Sequence, residues 1–253
     1  MNHRARALVV PGLMVGHRVP SALARAVLLV GSLAGLAGCP NPNSYTTPRT
    51  LPPGKVQLQV AAEVLGTQFS VNDGPQQEIV LPMLPTVGAR IGALEGFDVG
   101  VRLQNLDSLA LDGKVRLLKG RIDLAVDPGV QGFYSNVNGG GGAGVMYVHL
   151  PLLVGWNVSR SVSIVASPGA VFADITKMDE SGATGATATV TNTGWFARFG
   201  LGVSIRAYKD LSIQPEITAI QQTSGAFETL WVAGVGFNVG AQADYSDVDG
   251  SGS

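Results

Sequence analysis

Trp195-Phe196-Ala197-Arg198-Phe199-Gly200-Leu201-Gly202-Val203-Ser204-Ile205-Arg206-Ala207 is the stretch whose reading decides the fold. Trp195, Ala197, Phe199, Leu201, Val203, Ile205 and Ala207 take every second position, and Phe196, Arg198, Gly200, Gly202, Ser204 and Arg206 stand between them. Side chains of a strand alternate between two faces, so the stretch predicts a strand with an apolar face and a polar, glycine-rich one. After Tyr208-Lys209-Asp210 the alternation restarts, with Leu211, Ile213, Pro215, Ile217 and Ala219 against Ser212, Gln214, Glu216 and Thr218. Two such runs joined by so short a link read as an antiparallel hairpin.

The pattern recurs on both sides. Val56, Leu58, Val60, Ala62 and Val64 oppose Gln57, Gln59 and Glu63. Val87, Ala89 and Ile91 oppose Gly88, Arg90 and Gly92, and Phe97, Val99, Val101 and Leu103 oppose Asp98, Gly100, Arg102 and Gln104. About ten strands follow, near 55–66, 83–93, 97–105, 109–118, 121–134, 144–157, 161–174, 193–207, 211–222 and 228–240. Tight links at Leu94-Glu95-Gly96, Lys119-Gly120, Val158-Ser159-Arg160 and Tyr208-Lys209-Asp210 alternate with mostly longer ones near 67–82, 106–108, 135–143, 175–192 and 223–227. That order predicts an up-and-down barrel with one looser end.

Alternation does not say which face is inside. A soluble barrel buries the apolar face, and a membrane barrel turns it toward lipid. Only 14% of the chain is charged and 34 residues are glycine, where a soluble domain carries about a quarter charged. The polar face would hold lumenal ion-pair candidates: Arg90, Arg102, Lys114, Arg116, Arg198 and Arg206 against Glu63, Asp98, Asp112, Asp123, Asp127 and Glu216. Trp156, Trp195 and Trp231 fall on the apolar face near strand ends, and with Tyr134 they predict an aromatic girdle. The reading is all-β: a closed antiparallel transmembrane β-barrel over 55–240. A tethered soluble periplasmic β-barrel is the alternative.

Residues 1–38 carry Arg4, Arg6, Arg18 and Arg25, no acidic residue, and an apolar run from Ala26 to Gly38, the order of a secretory signal. Translation could start at Met1 or at Met14. Leu36-Ala37-Gly38-Cys39 resembles the bacterial lipobox. The resemblance implies cleavage before Cys39 and a covalent acyl and diacylglyceryl lipid on its thiol, palmitate among its chains, delivered by the lipoprotein-sorting machinery. Cys39 is the one cysteine, so no intrachain disulfide exists. Residues 39–54, with Pro40, Pro42, Pro48, Pro52 and Pro53, read as a lipidated proline-rich tether, and 241–253, with Asp244, Asp247 and Asp249, as an acidic flexible tail. The mature chain is net acidic, since the signal removes basic residues only, and it shows no basic patch for nucleic acid.

The hairpins Gly88-Ala89-Arg90-Ile91-Gly92 … Phe97-Asp98-Val99-Gly100-Val101-Arg102 and Val203-Ser204-Ile205-Arg206-Ala207-Tyr208-Lys209-Asp210-Leu211-Ser212-Ile213 resemble the small outer-membrane β-barrel proteins of Gram-negative bacteria. The resemblance implies a cell-envelope location in the outer membrane, with lipid and the barrel-assembly machinery as partners; a Cys39 lipid would hold the N-terminus periplasmic, and ten strands would return the C-terminus to that side. It leaves the role open: a non-enzymatic structural or surface-interaction protein, a narrow pore for small solutes, or a barrel enzyme acting on lipid or peptide. For the last, His149 is the sole histidine after the signal and the one weak candidate for a general base. Gly139-Gly140-Gly141-Gly142 lacks the lysine and helix of a phosphate loop and reads as a surface loop. Asp179 and Glu180 are too few for calcium. No cofactor and no metal site are predicted.

Overall fold

Alternation of this kind lets a sheet close on itself with one face in hydrocarbon, because closure pairs every strand edge. In the computed structural model, which describes residues 41–69, 77–105, 108–137, 141–181, 186–223 and 229–248 (at some strand ends by backbone alone), the strands do this. They are β1 (Val56–Phe69), β2 (Gln77–Pro82), β3 (Thr86–Leu94), β4 (Phe97–Gln104), β5 (Ser108–Leu118), β6 (Ile122–Val126), β7 (Gly129–Val137), β8 (Gly141–Asn157), β9 (Val162–Ser181), β10 (Ala186–Tyr208), β11 (Leu211–Gln222) and β12 (Leu230–Gly240). All pairings between them are antiparallel, and β12 returns to β1 in a register from Gln57↔Gly240 to Thr67↔Leu230, which closes the sheet.

Two walls of the barrel are made of two strands each. β2 and β3 both pair with β1, through Phe69↔Gln77 to Val64↔Pro82 and Ala61↔Thr86 to Val56↔Ile91. β6 and β7 both lie between β5 and β8. Proline stands at each interruption, Pro82 and Pro85 in one and Pro128 in the other; it has no N–H to give a ladder. The result is a closed antiparallel barrel of ten staves.

Three predicted loops are shorter than the sequence suggests. β1 runs to Phe69 and β2 occupies 77–82, inside the span read as a 67–82 connection. The predicted loop 175–192 is mostly hairpin, since β9 and β10 stay paired out to Ala186↔Ser181. Ala186, Ala188 and Val190 alternate there with Thr187, Thr189 and Thr191, a strand period of β-branched and small apolar residues that the Gly, Ser and Thr content of the span obscures. Gly141 and Gly142 likewise pair with Val137 and Asn136 and belong to β8.

The apolar face points outward. Trp195 is 58% exposed, Phe199 56% and Leu201 47%, while Arg198 and Ser204 are buried. Leu58, Val101, Leu111, Leu150 and Ile217 repeat the exposure around the barrel. A soluble barrel would pack these side chains centrally; a contiguous exterior of this kind requires hydrocarbon. On the same face Trp231 lies across Gly66, where an added Cβ would fall 2.0 Å from the ring. No helix among the described residues is long and apolar enough to cross a membrane. At the tight-turn end, Gly96 takes φ +76 between β3 and β4, a conformation that favours glycine.

The interior is zoned along the axis. Toward the tight turns the inward residues are charged or amidic. Toward the long connections Val145, Tyr147, Val171, Ala173 and Ile220 cluster with Phe133, Phe196 and Leu230, and Leu65 and Val232 with Leu81 and Met83.

Phe199→Arg should cost roughly 2–4 kcal/mol if Phe199 sits near the membrane midplane, measured by denaturant unfolding in phospholipid micelles; an unchanged midpoint would contradict a lipid-facing position.

Candidate functional site

Period-two projection brings the inward charges of β3, β4 and β5 side by side. Gly92 pairs with Asp98, Asp98 with Lys114, and Gly100 with both Arg90 and Asp112. Arg90 forms ion pairs with Asp98 and Asp112 and lies 3.7 Å from Asp127. Arg102 lies 3.5 Å from Asp112, and Lys114 lies 3.4 Å from Asp98. Gly100 leaves the space these groups use, since a Cβ there would stand 2.8 Å from Asp112 Oδ1 and 2.9 Å from Arg90 Nη2. Desolvated charges are tolerable only when paired in this way.

The centre of this lumen is occupied by the chain itself. Residues 41–51, part of the predicted proline-rich tether 39–54, lie inside the barrel, with Asn41, Asn43, Tyr45, Arg49 and Leu51 all buried. Prolines keep the segment out of any sheet, so its backbone groups need side-chain partners, and the lumenal wall supplies them. Arg198 donates to the Pro42 carbonyl at 2.6 Å and Arg102 to that of Asn43. Glu216 accepts the Ser44 and Tyr45 N–H groups at 2.9 and 2.8 Å. Gln59 and Asn238 donate to the Tyr45 carbonyl, Gln214 to that of Thr46 and Lys114 to that of Thr47. The Leu51 N–H reaches Asp98 at 3.0 Å.

The plug's side chains are bonded as closely. Glu63 accepts from Asn41 at 2.6 Å, from Tyr45 at 2.8 Å and from Thr86 at 2.6 Å. Tyr45 adopts φ 47 and lies on a smooth strip of β12: a Cβ on Gly234 would fall 2.3 Å from its hydroxyl, and one on Gly236 would fall 2.6 Å from its ring. Arg49 meets Asp123 at 2.6 Å with both side chains 1% exposed. Around residues 41–47, cavities of about 20, 10 and 10 Å³ remain between plug and wall, about the room of a water molecule each; at the tight-turn rim a wider cavity of about 230 Å³ lies between residues 49–53 and Glu95, Gly96, Arg116 and Lys119.

The start of the acidic tail also departs from the sequence reading. Residues 241–248 fold across the tight-turn mouth, where Tyr245 is buried and donates to Thr47 at 2.8 Å. The guanidinium groups of Arg206 and Arg49 lie 3.5 and 4.2 Å from its ring centre. Asp247 pairs with Arg49 at 2.5 Å and Asp244 with Lys119 at 3.1 Å. A run of Asp, Gly and Ser carries no period to mark it as packed; Arg49, Lys119 and Thr47, all remote in sequence, retain it. Its aspartates are shifted down, Asp247 by the Arg49 hydrogen bond and Asp244 to about 2 by the Ser246 N–H and hydroxyl and by Lys119.

The predicted lumenal residues thus fall into distinct roles. Arg90, Asp98, Arg102, Lys114 and Asp127 join Asp112 in the wall network, and Asp123 binds Arg49 of the plug. Glu63, Glu216 and Arg198 meet polar groups of the plug. Arg116 sits at the tight-turn rim, 3.6 Å from the exposed Glu95. Arg206 bonds the Ser159 and Arg160 carbonyls and covers Tyr245. Of the girdle, Trp156 and Trp195 are half exposed, Trp195 tilted against Phe172 with ring centres 5.2 Å apart. Trp231 is partly covered, and the Tyr134 side chain and Cys39 lie outside the described residues. Sequence reading missed Asn41, Tyr45, Arg49 and Tyr245; an arginine and a tyrosine amid prolines, facing a strand with glycine at 234 and 236, were the available signal.

His149 is buried midway along β8 in the smallest kind of cavity, beside Arg102, Asp127 and Arg198 and beneath Asn41, Pro42 and Ser44 of the plug. A general base must meet its substrate, and the plug covers this one. Among the described residues no group of three His, Cys, Asp or Glu is placed to hold a metal ion.

No family profile matches the chain, and no curated protein does. Solved structures with a similar chain path include the translocator domain of the autotransporter NalP from Neisseria meningitidis, at 13% identity over 87% of this chain and 97% of that one, TM-score 0.44. The attachment invasion locus protein Ail of Yersinia pestis matches at 10% identity over 74% and 99%, TM-score 0.33. The outer membrane protease OmpT of Escherichia coli matches at 7% over 78% and 100%, TM-score 0.43. None carries a residue role to this chain.

Arg49→Met would leave Asp123 buried without its cation, and should lower stability by roughly 3–5 kcal/mol while freeing the tail, read by unfolding and by proteolysis at 241–248. For the tail carboxylates the depressed pKa means that docking energy is present above their unfolded value of about 4 and is lost as pH falls through the folded value. A dye at the C-terminus should therefore show constant anisotropy from pH 7 to 5 and increasing mobility between about pH 4 and 2.

Proposed function

We propose that this chain is an outer-membrane lipoprotein whose barrel is closed by its own N-terminal segment and which serves a structural or surface-interaction role. Segment 41–51 carries the reading: it runs through the lumen and, along 41–47, leaves water-sized spaces against the wall, with a wider cavity at the tight-turn rim. A pore needs a continuous wet path, and a barrel enzyme needs an accessible base. The plug opposes both.

An apolar exterior bounded by exposed tryptophans supports the membrane assignment, and the signal ahead of Cys39 supports export. The surface role is supported by the β9–β10 hairpin. It continues nine residue pairs past Trp195↔Phe172, to Ala186↔Ser181, about 30 Å along the strands at ~3.3 Å per residue. Such a hairpin extends beyond the apolar belt and is the part of the chain offered to a partner on the loop side.

In planar bilayers the intact protein should be electrically silent, and a variant lacking 41–51 should show current steps. Steady steps from the intact protein would reject the closed-barrel reading and favour the solute pore.

A further inference from the structure

The plug has a direction. Followed from Val56 toward the N-terminus, the chain passes Pro53 beside Gly92 and Arg49 beside Asp123 and Gly120 at the tight-turn mouth. It then meets Lys114 and Gln214 at Thr46, Glu216 at Tyr45, and Glu63 and Thr86 at Asn41. Glu63 stands seven residues along β1 from Val56, about 23 Å along the strand. The segment therefore ascends the lumen toward the long-connection end and does not hang from the tight-turn side.

The rim on that side is near. At the β1–β12 seam the last pair is Thr67↔Leu230, four residues past Glu63, about 13 Å along the strand and about 10 Å along the axis at a ~40° tilt. Cys39 precedes Asn41 by two residues, a reach of at most ~7 Å. The opposite mouth is the more crowded: Tyr245, Asp244 and Asp247 gather there around Arg49. The lining agrees with this direction. On the loop side of Asn41 one arc of the inward lining is Leu65, Tyr147, Phe196, Ile220, Leu230 and Val232, which hydrocarbon can touch, while the arc of Gln104, Ser108 and Gln131 is polar and uncharged and the tight-turn side is charged.

We propose that the lipid on Cys39 leaves the barrel at the loop end, against this apolar collar, so that the protein is anchored on the leaflet its loops face. The proposal rests on the lipobox reading of Cys39 and replaces the expectation of a periplasmic N-terminus. It makes the plug a threaded one: the mature chain begins toward the loop-side mouth of the lumen, runs down its own barrel and then builds the wall, and the acyl chains cover the remaining distance to the rim. Threading also places the lipidated N-terminus and the β9–β10 hairpin on the same side.

The test uses the full chain with Asn41→Cys and Thr86→Cys, whose native side chains are hydrogen-bonded, in cells fed a fatty acid bearing an alkyne and a diazirine. Alkyne capture reports acylation of Cys39, with Cys39→Ser as control. Closure between positions 41 and 86, by oxidation or a short bis-thiosulfonate, reports threading in the acylated fraction. Diazirine adducts report where the chains lie. We expect a captured, cross-linked species in good yield with adducts on the loop-side parts of β1, β8, β10, β11 or β12. Capture without the 41–86 link, or adducts at the tight turns, overturns the threaded anchor and leaves the lipobox standing. Absence of capture removes the lipobox reading and this proposal with it.

Discussion

A charge inside a narrow barrel has neither bulk water nor a second protein to turn to, and the whole interior is organised by that constraint. Arg90, Asp98, Asp112 and Lys114 answer it across the wall. Asp123, Glu63, Glu216 and Arg198 make no ion pair with another strand among the described residues; they bind the chain's own segment 41–51 instead. That segment supplies partners to several wall groups at once, which makes plug and wall a single energetic unit.

Glycine gives this unit its room. On the outer face Gly66 admits the Trp231 ring, and on the inner face Gly234 and Gly236 admit Tyr45. The carbonyls of Leu51 and Pro52 approach Gly92, where a Cβ would stand 2.7 and 2.2 Å from them. The same residue type therefore serves close approach on both sides of one sheet, and the inner set matches the path of the plug. Arg49 ties the ends of the described chain together, since Asp123 of the wall and Asp247 of the tail share its guanidinium.

Much of the wall was legible. Strand positions, the tight turns and the inward or outward sense of Arg198 and Phe199 all follow from period two, because a pleated strand admits one residue per face in turn. Departures occur where that period is weakened for a stated cause: proline at 82, 85 and 128 splits two walls, and beside the threonines at 187–193 the apolar face shrinks to Ala186, Ala188 and Val190. The lumenal site was legible as a set of charges but not as a set of partners. Nothing at Asp123 indicates that its cation comes from Arg49, and nothing at Glu63 indicates Asn41 or Tyr45.

The sequence by itself determined that these strands alternate, that they close, and that the polar face carries charges needing compensation, since each is a local consequence of side-chain order along an extended backbone. Only the tertiary structure decided what compensates them. Segment 41–51 and the tail 241–248 have no period, so their positions are set by hydrogen bonds and ion pairs to residues far away in the chain, and those exist only once the barrel has brought its strands together around them.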